Sequence, residues 1–204
     1  MNDAGHIRPG TLALVSLCLA APLPAGVRGK YVHVFIPGNG KTLTLAEVEV
    51  FSGGKNIAQG CKTSQSSTNH GGTPDRAVDG NTSDKYESGS QTHTKGEKNP
   101  WWEVELKTEA TIDRVVVWNR ESKYGSRLKG FHLCILDTDR RVVWEAAEGN
   151  PGRQTQFDTT KPTRGGLVGT ILPRGTGGVT SGAAKKPVVD AVTLKKLNDD
   201  IEKA

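Results

Sequence analysis

The feature that most constrains this 204-residue chain is a series of short apolar runs separated by turn residues. Each run alternates apolar with polar side chains and is bounded by Gly, Pro, Asn or Asp, as half-buried β-strands are. The runs cover residues 30–37, 45–51, 101–106, 111–118, 131–136 and 140–146. No long helical period interrupts them. Short strands at this spacing indicate an all-β fold, an antiparallel β-sandwich.

The two ends of the chain differ from this central region. Residues 12–21 form an apolar run that is too short for a membrane span, which needs about 20 residues, but suits the apolar part of a secretory signal. We interpret residues 1–25 as a signal peptide and expect a secreted, extracellular or periplasmic protein without a membrane span. A buried strand or core helix is the alternative interpretation of this run.

The C-terminal end, residues 176–204, is rich in Gly, Ser, Ala and Lys before a last apolar pattern appears. Val192, Leu194, Leu197 and Ile201 recur there at roughly helical spacing. We predict a linker and a short helical tail, through which the protein could oligomerise. Residues 30–175 then form the sandwich domain.

The charge pattern argues against nucleic acid as a partner. The formal net charge is +5, but no block of five or more like charges occurs, and basic residues alternate with acidic ones. We also find no Gly-x-Ser-x-Gly, His-Glu-x-x-His or Walker sequence, so we expect no enzyme.

Three cysteines leave one possible pair after removal of the signal. Cys18 lies in the predicted signal, so Cys61 and Cys134 remain, and two cysteines of an exported protein can form a disulfide. Cys134 alternates with Leu133 and Ile135, so we expect it to face the opposite side of its strand. The sequence leaves the pairing open.

Five sequence blocks occur in an order that resembles a known family. They are SQSST (64–68), AVDGN (77–81), THT (92–94), NPWW (99–102) and WNR (118–120). Together they resemble the coagulation factor V/VIII type C (discoidin) domains, and most of all the F-type lectin, or fucolectin, branch. The resemblance covers roughly residues 30–150. It implies a jelly-roll, galactose-binding-like sandwich.

The same resemblance implies a sugar site. His93 is followed, after the 26 residues of the F-type lectin motif, by Arg120, and Arg127 stands seven residues further on. Two guanidiniums and an imidazole suit adjacent sugar hydroxyls. The family Asp between the arginines is Ser122 here, and the family's adjacent cysteines are replaced by Lys123-Tyr124, of which Tyr124 could stack on a sugar.

The function implied is a carbohydrate-binding module that recognises fucose or a related sugar on glycans. The altered segment at 122–124 favours an alternative, an adhesion module that binds protein or acidic surfaces without a defined sugar pocket.

The resemblance also implies a Ca²⁺ site, and calcium takes six to eight oxygen ligands. Such an ion would pin the polar stretch 60–100, which is too long to be structureless in a compact domain. An ordinary turn is the alternative interpretation of residues 79–81. The implied ligands are the carboxylates of Asp79 and Glu47, the carbonyls of Arg76, Asn81 and Ala46, and Ser90.

One feature departs from the family order. Residues 30–51 resemble the strands that close the domain in relatives, yet here they open the chain. A circular permutation would still place Glu47 beside Asp79, because the termini of such domains lie close together. The alternative is a remnant of a preceding copy, with residues 165–177 as the closing strand.

Overall fold

The structure, a computed structural model, describes residues 26–120, 122–163, 166–172 and 174, without the side chains of Ser122 and Lys123. The predicted signal peptide and the predicted helical tail lie outside this part of the chain. The strands are β1 (Val27–Phe35), β2 (Glu47–Ser52), β3 (Lys55–Asn56), β4 (Lys62–Gln65), β5 (Trp101–Ile112), β6 (Arg114–Trp118), β7 (Phe131–Leu136), β8 (Val142–Glu148) and β9 (Gln154–Asp158). Short 3-10 helices span Pro74–Val78, Tyr86–Ser88 and Ser122–Leu128.

These strands form two antiparallel sheets, which confirms the predicted all-β sandwich. One sheet has five strands in the order β4-β5-β1-β7-β8, and the other has four in the order β3-β2-β6-β9. Among the described residues, no helix combines the length and apolar character that a membrane crossing requires.

Strand β1, at the centre of the five-stranded sheet, is buried on both faces. Because side chains alternate along a strand, Val32 and Val34 of β1 join the core between the sheets, whereas Tyr31 and Phe35 join a second apolar cluster. Leu172 belongs to that second cluster. The segment 166–172 therefore packs against the outer face of this sheet.

A buried ionic network lies on the same outer face. Glu103 accepts two hydrogen bonds from the Arg140 guanidinium, at 3.0 and 2.7 Å, and one from His33 Nδ1 at 3.0 Å. Burial alone would raise the pKa of Glu103, but these partners outweigh it and lower the pKa. Arg140 Nε also donates to the carbonyl of Leu172, so the network ties the covering segment to the sheet.

The chain passes from one sheet to the other at Asp113. This residue separates β5 from β6, and its carboxylate accepts a hydrogen bond from the amide of Gly53 at 2.7 Å. Its own amide donates to the carbonyl of Phe51 at 2.9 Å. Contacts with the end of β2 thus fix the point at which the chain changes sheet. The strand that follows, β6, leads directly to Asn119 and Arg120.

The polar stretch 60–100 is ordered partly by the hydrophobic core. We expected something other than apolar packing to pin it, and that expectation was incomplete. Ala77 and Val78 of its 3-10 helix are fully or almost fully buried in the main core, and Trp102 Nε1 donates to the carbonyl of Pro74. A short apolar unit inside a polar segment is therefore enough to anchor its first half.

The early strands β1 and β2 are integral to the two sheets. β1 lies between β5 and β7, and β2 lies between β3 and β6. Residues 166–172 contribute an isolated bridge between Ile171 and Arg141 rather than a strand of either sheet. This arrangement is the one that a permuted order requires. The permutation itself stays a prediction.

Both described cysteines are free and buried. Cys61 belongs to the core between the sheets and Cys134 to the outer cluster. Leu133 and Ile135 belong to the inner core, so the expected orientation of Cys134 is confirmed. Because the thiols lie in different clusters, the disulfide that the sequence left open is not formed.

Candidate functional site

The segment that carries His93 is fixed by threonine hydroxyls. The amides of Thr92 and Thr94 donate to the carbonyls of Leu45 and Leu43, as in a strand pair. In return, the hydroxyls of these threonines accept from the amides of Leu45 and Leu43, at 3.0 and 2.9 Å. Both threonines are fully buried. The Thr-His-Thr sequence thus locks its central residue by side-chain and backbone bonds together.

A glycine allows a second loop to approach His93 from the other side. The amide of His93 donates to the carbonyl of Gly72 at 2.9 Å. A Cβ at Gly72 would lie only 2.5 Å from that amide nitrogen and 2.6 Å from the Cβ of His93. The position therefore has room for glycine alone, because of the close approach and not because of its backbone angles.

The two arginines are positioned by Asn119 at the end of β6. Its side-chain amide donates to the carbonyls of Gly125, at 3.1 Å, and Gly152, at 3.3 Å. Asn119 is almost fully buried and precedes Arg120 directly, and Gly125 lies in the 3-10 helix that carries Arg127. One buried amide thus fixes the two segments that present the guanidiniums.

The structure brings the sugar-site residues predicted from the sequence into one pocket of about 180 Å³. Arg127 Nη1 donates to His93 Nε2 at 3.1 Å, and His93 Nδ1 donates to the carbonyl of Thr94 at 2.7 Å. These partners assign a neutral imidazole with its proton on Nδ1. The lining residues are His70, Tyr86, His93, Arg120, Tyr124 and Arg127.

The charges within the pocket support a neutral His93. Burial lowers the pKa of His93, and the nearby charge of Arg127 lowers it further, although the bond to Thr94 acts in the opposite direction. Burial and the neighbouring Arg127 likewise lower the pKa of Arg120. The pocket therefore combines two cationic donors with an imidazole that can accept or relay a hydrogen bond.

Two tyrosine rings hold the guanidiniums. The Arg120 guanidinium lies 4.5 Å from the ring centre of Tyr124 and 4.7 Å from that of Tyr86, and the Arg127 guanidinium lies 4.4 Å from the ring centre of Tyr124. Such cation–π contacts stabilise a guanidinium without neutralising it. Tyr124, proposed from the sequence as a stacking surface for sugar, therefore also packs against both arginines.

Two lining residues were missed by the sequence analysis, His70 and Tyr86. The Tyr86 hydroxyl donates to the carbonyl of His70, and the His70 ring lies edge-on to His93 with 4.9 Å between ring centres. A signal for Tyr86 was present, because it is the only Phe, Tyr or Trp between Phe51 and Trp101. His70 carries no comparable signal within its Ser/Thr/Asn/Gly-rich surroundings.

The two carboxylates predicted to bind calcium lie close enough for the charge of Asp79 to act on Glu47. Glu47 is fully buried, its Oε1 accepts from the amide of Gly80 at 3.1 Å, and its Oε2 has no hydrogen-bond partner among the described residues. Burial, with a smaller contribution from Asp79, raises the pKa of Glu47 to about 8. A buried carboxyl oxygen without a partner fits a cation ligand.

Three other predicted calcium ligands make hydrogen bonds of their own. Asp79 accepts from the amide of Asn81 at 2.8 Å, and the Asn81 side chain donates to the carbonyl of Ser88. Ser90 is fully buried, and its hydroxyl donates to the carbonyl of Ser83 at 2.5 Å. The predicted ligand of Arg76 is its backbone carbonyl, and its side chain donates a hydrogen bond to the carbonyl of Gln91.

Ala46 is buried at the start of β2, beside Glu47. Within the described part of the chain, no three or more His, Cys, Asp or Glu side chains form a metal cluster. The predicted ligand set contains two carboxylates, and its remaining members are carbonyls and a hydroxyl. The buried, unpartnered Oε2 of Glu47 fits an oxygen-ligated ion such as Ca²⁺, and the site itself stays a prediction.

The chain matches the family of NedA-like, galactose-binding domains of F5/F8 type C over residues 76–166. It is 37% identical over 135 residues to Fucolectin-5 of Anguilla japonica, a match that covers 59% of this chain and 69% of that protein. It is 35% identical over 103 residues to the fucolectin of Anguilla anguilla, covering 48% of this chain and 65% of that protein.

Solved structures agree with these sequence relatives. A Streptococcus pneumoniae fucose binding module is 37% identical, with a TM-score of 0.50, over 53% of this chain and 78% of the module. The lectin domain of lectinolysin, solved in complex with Lewis B antigen, is 34% identical, with a TM-score of 0.51, over 56% of this chain and 83% of that domain.

The expected family is thus confirmed, and the relatives are lectins rather than enzymes. The chain belongs to the fucolectin family of galactose-binding-like F5/F8 type C domains.

Proposed function

We propose that this domain binds a terminal fucose or a closely related sugar of a glycan, and that Ca²⁺ supports the binding. The observation that carries the proposal is the convergence of His93, Arg120 and Arg127 on one small pocket. The names of the relatives point the same way, since one is a fucose binding module and another was solved with Lewis B antigen.

The pocket offers a small sugar several directed hydrogen bonds. The guanidiniums of Arg120 and Arg127 present fixed forks of donors, which suit vicinal hydroxyls and a ring oxygen. His93 Nε2 now accepts from Arg127, and a sugar hydroxyl can take over that contact. The rings of Tyr86 and Tyr124 supply the apolar surface against which C–H-rich faces of a sugar pack.

The calcium requirement rests on the loop that carries Tyr86 and Ser90. Glu47 and Asp79 would hold the ion with backbone carbonyls and the Ser90 hydroxyl. A bound Ca²⁺ would neutralise two neighbouring carboxylates and tie residues 76–90 to β2. Since Tyr86 packs against Arg120 within that loop, its order sets the shape of the pocket.

The test is a titration of L-fucose into the protein by calorimetry, with calcium and with a chelator. We expect binding in calcium, a loss of most affinity in chelator, and no binding by an Arg120→Ala, Arg127→Ala double variant. Retention of full affinity by the double variant would refute the site. Full affinity in chelator would refute the calcium requirement alone.

A separate variant tests the ion without touching the pocket. Asp79→Asn should weaken calcium binding and lower the melting temperature in calcium towards the value in chelator, because one of two charged ligands is lost. Asp75→Asn is the matched control, since Asp75 is exposed in the same 3-10 turn and is not a predicted ligand.

Export also stays a prediction, because residues 1–25 lie outside the described part of the chain. Amino-terminal sequencing of protein recovered from the medium or the periplasm would test it. Processing between residues 21 and 26 is expected. Recovery of the intact amino terminus there would contradict it.

A further inference from the structure

The sugar pocket carries two positive charges. Two guanidiniums line a pocket of about 180 Å³. The ion pairs among the described residues involve other groups, so neither Arg120 nor Arg127 has a described carboxylate partner. The position between them in sequence, where the resembling family has Asp, is Ser122.

The arginines are held instead by groups that carry no negative charge. Tyr124 contacts both guanidiniums and Tyr86 contacts that of Arg120, with ring-centre distances of 4.4–4.7 Å. The remaining described contact is the hydrogen bond from Arg127 to the neutral His93. Because arginine does not deprotonate in proteins, both positive charges persist in the pocket.

None of the acidic residues that the structure describes forms an ion pair with Arg120 or Arg127. Glu87 is exposed and acts on Arg120 through its field, without a described ion pair. Glu47 and Asp79 accept hydrogen bonds from the amides of Gly80 and Asn81, and the charge of Asp79 acts on Glu47. The mutual repulsion of Arg120 and Arg127 shows in the lowered pKa of Arg120, although burial contributes more.

From these observations we propose that the pocket prefers a sugar that carries an anionic group, a carboxylate or a sulfate ester. This inference rests on the proposed sugar-binding function and specifies its ligand class. A carboxylate or sulfate presents two oxygens to a guanidinium fork in bidentate geometry, and such charge-assisted bonds are stronger than bonds to a neutral hydroxyl. Burial of the site strengthens the attraction further.

The experiment compares matched neutral and anionic sugars in calcium at low ionic strength. The pairs are L-fucose with monosulfated L-fucose, and D-galactose with D-galacturonate, which separate the sulfate from the carboxylate source of the charge. We expect at least about tenfold tighter binding of the anionic member in one pair or both. This advantage should shrink as salt is raised, while binding of the neutral member stays nearly constant.

Two variants locate the effect. Arg127→Gln should remove most of the anionic preference, whereas Lys62→Gln, which removes an exposed charge on the edge strand β4, should retain it. An equal effect of Lys62→Gln and Arg127→Gln would mean general surface attraction and would overturn the proposal.

The outcomes separate this inference from the proposed function. Binding of L-fucose without any gain from sulfate or carboxylate overturns the anionic preference and leaves the fucose site standing. A failure of all four sugars to bind overturns both.

Discussion

A single methyl group added at Gly72 should weaken sugar binding by at least about tenfold. The new Cβ would lie 2.5 Å from the amide nitrogen of His93 and 2.6 Å from its Cβ. Ordinary contacts between non-bonded heavy atoms lie at about 3.5–4.0 Å, so the backbone of His93 must move by about 1 Å. Because the hydrogen bonds of the buried Thr92 and Thr94 fix this backbone, its movement must also displace the segment of Leu43 and Leu45 to which they are bonded.

That displacement acts on the pocket by moving His93 Nε2. The hydrogen bond from Arg127 to His93, now 3.1 Å long, would lie beyond hydrogen-bond distance after a shift of this size. On sugar binding a hydroxyl takes over this contact, and a displaced His93 Nε2 would stay an unpaired buried acceptor, which costs about 1–3 kcal/mol, where about 1.4 kcal/mol is tenfold in affinity. Overpacking should also lower the free energy of unfolding by about 1–3 kcal/mol.

Calorimetric titration of L-fucose into the Gly72→Ala variant measures the first effect, and chemical denaturation measures the second. Gly149→Ala is the matched control, because its added Cβ would meet no atom within 4 Å and its φ is not positive. A folded Gly72→Ala variant with the affinity of the wild type would refute the reasoning that the Gly72 approach positions His93.

Three further predictions concern the scaffold. Arg140→Met should lower the free energy of unfolding by about 3–5 kcal/mol, because Glu103 stays buried after losing two charged hydrogen bonds; chemical denaturation measures this, and an unchanged midpoint would contradict it. The stability that Glu103 contributes should be complete above pH 4.5, its ordinary pKa, and decline as the pH falls through its lower folded pKa. Chemical denaturation of the wild type and of Glu103→Gln across this pH range measures the difference in their free energies of unfolding. This difference should shrink on acidification, and a difference that grows would contradict the prediction. Cys61 and Cys134 should resist iodoacetamide in the native protein and both react in denaturant, since both thiols are buried and burial raises the pKa of Cys134; mass spectrometry would reveal either thiol reacting in the native state.

The strands that the sequence predicted are those with at least one buried face and several large apolar residues. β7, for example, was predicted with its observed bounds, Phe131–Leu136. β4 and β9 were missed because they are edge strands with almost no apolar side chains; Phe157 is the single buried residue of β9. Edge strands pair through their backbones and need little apolar surface, so alternation cannot reveal them.

The length of β5 was underestimated for a related reason. The predicted run ended at residue 106, whereas the strand continues to Ile112. Its second half is mostly exposed and pairs with Val27–Gly29 at the beginning of β1. The length of a strand depends on the strand it pairs with. The partner of this half of β5 lies some 80 residues away in sequence, so the local alternation of apolar and polar residues does not reveal it.

The candidate site was predictable where its residues follow a family spacing. His93, Arg120, Arg127 and Tyr124 were named from the sequence and line one pocket. His70 reaches the pocket through a loop whose path depends on the close approach of Gly72 to His93. That approach is a property of the folded backbone, so no local sequence pattern predicts it.

The most direct test of the central claim follows the arginine and histidine side chains by NMR while L-fucose is added in calcium. We expect shifts of the side-chain resonances of Arg120, Arg127 and His93, with those of Arg114 and Arg140 unchanged. A larger surface pocket of about 550 Å³, lined by Lys55 and Lys107 among others, is the alternative location. Shifts confined to that pocket, with Arg120, Arg127 and His93 unaffected, would contradict the account.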